Sequence, residues 1–249
     1  MVFEFASEVA SGFSKLSLVD LHSDVYRNII SIQQSQDLFD DLSAHPEDWL
    51  AAQAIEMEIK PPHYQSNQTI IHRPFEEAEW FNAIEWPFQN WRASRFSDGS
   101  FGVWYGCESV ETSVMETAYH WLKGFLQDAG FENELVTVER KIYQVRCDAA
   151  LIDLRPWCEQ GCEHHSELMH KSNYHAAQAF GARVHHEGHP GLMTLSVRRE
   201  GGQNVATFNP RLLSQPRYDC QLSYHLRGPE IIVEKQPGVA LMRFDIRDF

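Results

Sequence analysis

The sequence predicts an α+β fold. Short β-rich runs gather in the second half of the chain, and helical stretches are interspersed among them, the pattern of a sheet with helices packed around it. No internal repeat and no low-complexity linker divides the 249 residues, and 43% apolar and 12% aromatic content is enough for a sizeable core. The chain is expected to be a compact unit with a helical, acidic N-terminal extension over residues 1–65 and the main domain over 66–249.

Within the first 60 residues the reading is helical. Pro46 followed by Glu47 and Asp48 makes a helix start, since proline fits the first helical position and carboxylates suit the positive end of the dipole. Trp49, Leu50, Ala54 and Met57 follow at helical spacing, and Pro61-Pro62 stop the run. Pro74 with Glu76 and Glu77 marks a second, shorter helix start.

From Phe101 the pattern changes. Gly102 to Cys107 reads as a strand and Thr112 to Leu126 as a helix with Met115, Ala118, Leu122 and Phe125 on one side. Val136 to Cys147 is a strand with a register shift near Lys141. Further strands are expected at Ala150–Leu154, Leu192–Val197, Asn204–Phe208, Gln221–Leu226, Ile231–Glu234 and Val239–Ile246. One more helix spans Tyr174 to Arg183 and ends near Gly181. Leu192–Val197 and Asn204–Phe208 flank Gly201-Gly202, which predicts a hairpin with Ser196 as a polar residue inside an apolar strand.

Charge narrows the partners. A formal net charge of −14 argues against nucleic acid or an anionic membrane surface, since both need a basic footprint. It suits a basic protein partner, and an anionic small substrate would need a local cluster of arginines working against the global field. No run of about 18 apolar residues is present, which argues against a transmembrane helix. Met1 to Lys15 carries Glu4 and Glu8 without a basic n-region, so no secretory signal is read. Five thinly spread cysteines suit reduced thiols in a cytoplasm.

Three stretches carry candidate chemistry. Arg95 precedes a Gly-containing turn and a strand ending in Tyr105, and the chain then turns into the helix that bears Glu116. Tyr105 and Glu116 are thereby expected to face one crevice. Taken alone, this pattern is more often a surface ion pair and a half-buried phenol, and Ser196 more often a hydroxyl satisfied by nearby backbone. No Gly-x-Ser-x-Gly surrounds Ser196, against a hydrolase-type nucleophile. Cys158 and Cys162 with nearby histidines have zinc donor types, but their intervals match no standard finger, and a polar loop is the favoured reading. His185-His186-Glu187-Gly188-His189 lacks the spacing of a zinc protease helix.

The spacing Tyr105-x₁₀-Glu116, the preceding Arg95 turn, and Gly-Leu-Met-Thr-Leu-Ser-Val-Arg…Gly-Gly-Gln-Asn-Val-Ala-Thr-Phe together resemble the RES domain. The resemblance covers roughly residues 71 to 208. It implies an ADP-ribosyltransferase-like core and, as in many members, an NAD⁺-degrading toxin paired with an Xre-type antitoxin. Carried over by position, it places catalytic and NAD-binding roles on Glu116, Arg95, Arg73 and Ser196, with Tyr105 also contacting NAD⁺. Arg73 has rivals on charge in Arg27, Arg92 and Arg146. The turn Phe-Ser-Asp-Gly after Arg95 departs from the Asn-Pro-like stretch of many members, and the interval from Glu116 to Ser196 is long.

These residue types suit the chemistry. Breaking the nicotinamide–ribose bond passes through a ribosyl oxocarbenium ion, which a carboxylate stabilises. Guanidinium forks match the pyrophosphate oxygens. Tyr105 offers a flat face, and Ser196 would orient the nicotinamide-side ribose. The resemblance thus implies an NAD⁺ phosphorylase or glycohydrolase, with NAD⁺ as substrate, inorganic phosphate as a candidate co-substrate, and no metal or resident cofactor. A protein ADP-ribosyltransferase and a catalytically silent RES-like binding module are the alternatives. Self-association is a further expected property.

Overall fold

The computed structural model describes residues 16–31, 78–123, 135–159 and 165–248. Eight strands form one mixed sheet: β1 (Ser17–Ile30), β2 (Trp104–Cys107), β3 (Val136–Asp153), β4 (Gly191–Leu195), β5 (Gln203–Thr207), β6 (Leu213–Arg227), β7 (Glu230–Gln236) and β8 (Val239–Asp245). Their order is β1-β2-β5-β4-β3-β6-β7-β8, and β1 pairs with β3 as well. That extra pairing closes β1, β2, β5, β4 and β3 into a ring, from which β6, β7 and β8 continue as an antiparallel wing. Among the described residues only β3 and β4 run parallel, through Ile152 and Asp153. The helices are α1 (Trp86–Gln89), entered through π-helical Phe81–Glu85, then α2 (Val110–Trp121), α3 (Arg155–Cys158), α4 (His165–Leu168) and α5 (His175–His186). The α+β expectation holds.

The helical reading of the first 60 residues is corrected where it is described. Ser17–Ile30 is a strand that pairs with β3 at every residue. Its signal is period two: Val19, Leu21, Val25 and Ile29 point to the core around Trp104. The intervening Asp20, His22 and Asp24 are polar and give the segment its acidic look. The expected helix at residues 46–60, the start at Pro74 and the boundary at 65/66 lie outside the described residues.

Two expected runs, Val136–Cys147 and Ala150–Leu154, form one strand to Asp153. Continuous pairing with β1 supplies backbone partners across the gap, so no turn is needed. The shift expected near Lys141 appears as irregularities in the β3–β6 ladder between Ile142 and Tyr143 and between Gln144 and Arg146. The Gly201-Gly202 hairpin is present, with Gly201 at φ +73, a left-handed conformation that glycine adopts without steric cost.

Helix α2 begins earlier than Thr112 because Ser109 caps it: its hydroxyl accepts the Thr112 N–H at 3.2 Å. Its apolar side (Val114, Ala118, Trp121) packs on Leu222, Tyr224 and Ile231 of the wing. Helix α5 runs through Gly181 to His186, beyond the expected end. The glycine serves close packing there: an added Cβ would overlap the Phe96 carbonyl oxygen. Phe180 and Val184 fill the same core cluster as Phe96 and Leu192.

Candidate active site

A cavity of about 810 Å³ opens between α2, β1, β3 and the 93–96 turn, a size that suits a small-molecule ligand. Glu116 projects into it from the second turn of α2. One carboxylate oxygen, Oε1, accepts the Ser196 hydroxyl at 2.7 Å and the Asn204 side-chain amide at 2.7 Å. The other oxygen carries no hydrogen bond among the described residues. Asn204 is held in that orientation from behind, because its Oδ1 accepts the Cys107 thiol at 3.2 Å. Burial pushes the Cys107 thiol well up, and the Glu116 and Glu108 carboxylates add to the shift, so it stays protonated and donates.

Ser196 lies one residue past β4, not inside it as the sequence suggested. Its backbone N–H donates to the Gly202 carbonyl at 2.7 Å, while its side-chain oxygen accepts the N–H groups of Arg198 and Arg199, both at 3.1 Å. With both roles of the hydroxyl in use, Ser196 is a buried support for Glu116. The hairpin is locked to the start of α2 by Glu108, which accepts the Thr112 hydroxyl at 2.6 Å and the Gln203 N–H at 2.7 Å.

Tyr105 also lines the cavity, but its hydroxyl is engaged on the 93–96 turn. It hydrogen-bonds the Ser94 hydroxyl at 2.8 Å and accepts the Phe96 N–H at 3.0 Å, bracketing Arg95 in sequence. Burial pushes the phenol up to about 12. Helix α5 grips the same turn from its other side, where Gln178 donates to the Ser94 carbonyl at 2.9 Å. The Arg95 guanidinium then crosses to the end of α4 and the residues that follow it. One of its nitrogens donates to the carbonyls of Leu168 at 3.0 Å and His170 at 3.1 Å, and the group lies 4.5 Å from the Tyr174 ring centre. Burial holds its pKa below the usual arginine range. Its remaining donors make no hydrogen bond among the described residues.

The structure thus brings Glu116, Arg95 and Tyr105 to one cavity, with Ser196 behind Glu116. Arg73 lies outside the described residues. Of its rivals, Arg92 is exposed and Arg146 pairs with Asp148 on the surface at 3.0 Å, whereas Arg27 lines the cavity. Sequence reasoning missed Asn204, Arg140 and Arg198. Asn204 stands beside a second amide, Gln203, at the start of the return strand, so the residue order does not single it out. Arg198 stacks 3.3 Å from the Tyr119 ring centre and bonds the Lys171 carbonyl, contacts that no local pattern announces. Cys158 is buried and contacts Thr194 Oγ1 at 3.2 Å, and Cys162 lies outside the described residues. Among the described residues no three potential metal ligands come together, and no helix is long and apolar enough to cross a membrane.

Fold and site define a mixed-sheet α+β protein with a braced carboxylate on the wall of a cationic cavity. The RES domain model matches residues 70–227, more than half of the chain, and the protein belongs to the RES domain family. Among solved structures, the M. tuberculosis MbcT–MbcA toxin–antitoxin complex aligns at 10% identity over 86% of this chain and 90% of that one, with a TM-score of 0.44. No curated protein matches significantly.

Proposed function

We propose that the protein cleaves the nicotinamide–ribose bond of NAD⁺. The observation that carries this reading is Glu116, a carboxylate fixed through one oxygen by Ser196 and Asn204 with its second oxygen unengaged in the cavity. When nicotinamide leaves with the bonding electron pair, positive charge develops on the anomeric carbon and ring oxygen of the ribose. A carboxylate already oriented stabilises that charge without reorganising. Arg95 supplies a fork for the pyrophosphate, with Arg73 as its expected companion. The ribosyl cation is captured by an oxygen nucleophile: inorganic phosphate makes the protein an NAD⁺ phosphorylase, and water makes it a glycohydrolase with release of a proton.

Family membership adds context to this proposal. An ADP-ribosyltransferase-like core, a toxin role in a bacterial cytoplasm and an Xre-type antitoxin as partner all go with it. The test is nicotinamide release from NAD⁺ by the purified chain, with and without phosphate. Release that depends on Glu116 supports the reading, and no release under either condition ends it.

A further inference from the structure

Residues 169–174 join α4 to α5 as a short strap, and its Ser172 and Tyr174 line the site cavity. The same two residues line a separate cavity of about 420 Å³, together with Gln178 of α5. The strap is therefore a thin wall with open space against it in both cavities. Its tip, from His170 to Asn173, is exposed. Within the tip, His170 Nδ1 accepts the N–H groups of Ser172 at 3.2 Å and Asn173 at 2.8 Å, so the segment is a preformed turn that can move as a unit.

The side chains that hold this turn down come from three elements of the site. Arg95 binds its first end, through the carbonyls of Leu168 and His170. Tyr119, three residues after Glu116 on α2, donates its hydroxyl to the Lys171 carbonyl at 3.3 Å. Arg198, two residues past Ser196, donates one terminal nitrogen to that same carbonyl and to the Tyr174 hydroxyl, the latter at 3.3 Å. The tip is thus fastened at one point, the Lys171 carbonyl, by residues adjoining Glu116 and Ser196.

This fastening is marginal. An O–H···O bond of 3.3 Å is longer than a well-made one. The Nε and the second terminal nitrogen of Arg198 are buried with no partner among the described residues, which costs free energy while the strap is down. Stacking of the guanidinium on the Tyr119 ring offsets part of that cost, and lifting the strap lets water reach the buried donors. Exposed backbone with few buried contacts is the character of a segment that opens locally.

We propose that residues 169–174 form a lid on the cavity, latched by Tyr119 and Arg198 at the Lys171 carbonyl, which closes over a bound ligand. Arg95 links the two events, because one terminal nitrogen binds the strap and its remaining donors are left for the ligand. An anion held by those donors fixes the guanidinium, so that closing the strap costs less ordering. By linkage, opening the latch weakens the ligand by up to the factor with which the ligand protects the strap. The identity of that ligand rests on the NAD⁺ reading, whereas the latch is measurable without any turnover.

Lys171 is a built-in probe. Trypsin needs the Lys171–Ser172 bond lifted clear of the site, and under native conditions the cleavage rate follows the open population. Cleavage of the full chain is read bond by bond by mass spectrometry. In Tyr119→Phe and Arg198→Gln, each confirmed as folded by circular dichroism, the cut at Lys171 should rise about threefold or more, and saturating ADP-ribose should slow it by a similar factor in wild type. If Arg198→Gln does not fold, Tyr119→Phe, which lacks a single oxygen, decides alone. The proposal is overturned if the folded variants are cut at Lys171 within about twofold of wild type, or if ADP-ribose binds by calorimetry without slowing the cut. A parallel rise at Lys141, inside β3, means global unfolding and also counts against the lid. Faster cutting in the variants with no binding of ADP-ribose to wild type supports the latch and refutes the NAD⁺ reading of its ligand. Nicotinamide release with an unaltered cut at Lys171 does the reverse.

Discussion

The Ser196 hydroxyl donates to Glu116 Oε1 at 2.7 Å across 80 residues of chain, and it accepts two backbone N–H groups of its own hairpin while doing so. The carboxylate is thereby coupled to the β4–β5 turn, and its orientation is set before any ligand arrives. Preorganisation of this kind is where most electrostatic catalysis resides.

Replacing Glu116 with Gln keeps the shape and removes the charge. Nicotinamide release should fall by about 10²–10³-fold, while the thermal midpoint and ADP-ribose affinity change little. A rate equal to wild type would remove Glu116 from the site.

Ser196→Ala and Asn204→Ala each remove one of two bonds to the same oxygen. A hydrogen bond to a charged group is worth about 1.5–3 kcal/mol, so each variant should slow release by roughly 10- to 150-fold. The double variant should lose less than the product of the two, because both act through one carboxylate. Strict multiplicativity in a double-mutant cycle would mean the two residues act independently.

Tyr105→Phe leaves the Phe96 N–H without its acceptor and frees the turn that carries Arg95. A loss of about 1–3 kcal/mol in denaturant unfolding is expected, with weaker ADP-ribose binding. The pH dependence has a definite sign. The unfolded phenol ionises near its ordinary value of about 10, and the folded one near about 12. Between these values the folded chain holds more protons, so Tyr105 makes stability fall as pH rises. Wild type should show a steeper loss from pH 10 upward than Tyr105→Phe, and equal slopes would contradict the assignment.

Gly181→Ala places a methyl group against the Phe96 carbonyl. Overpacking at such a contact costs about 1–3 kcal/mol. Because Phe96 adjoins Arg95, activity should drop along with the denaturation midpoint. A variant as stable as wild type would show that the helix shifts freely there.

A chain starting at residue 66 lacks β1, and with it fourteen residues paired to β3, the side chains packed on Trp104, and Arg27. It should be insoluble or lack a cooperative unfolding transition. A stable, cooperatively folding 66–249 fragment would show that the strand is dispensable.

The local elements were legible in the residue order because their signals are local. Gly201-Gly202 between apolar runs marked the hairpin, and apolar spacing marked the helix bearing Glu116. The general helical reading of the first 60 residues failed at Ser17–Ile30, where the core-facing apolar positions repeat every two residues. Gly181 looked like a stop signal because its purpose is a tertiary contact, which glycine in isolation cannot announce.

The sequence by itself determined the α+β class, the hairpin, the presence of Glu116 and Tyr105 on elements flanking one crevice, and the family resemblance. Tertiary structure decided how those residues are used. It turned Ser196 away from the cavity onto Glu116, set the Tyr105 hydroxyl to clamp the Arg95 turn, and added Asn204 as a second brace. The reason is physical: periodicity and capping act within a few residues. Hydrogen bonds to a half-buried carboxylate act through space once the sheet has closed.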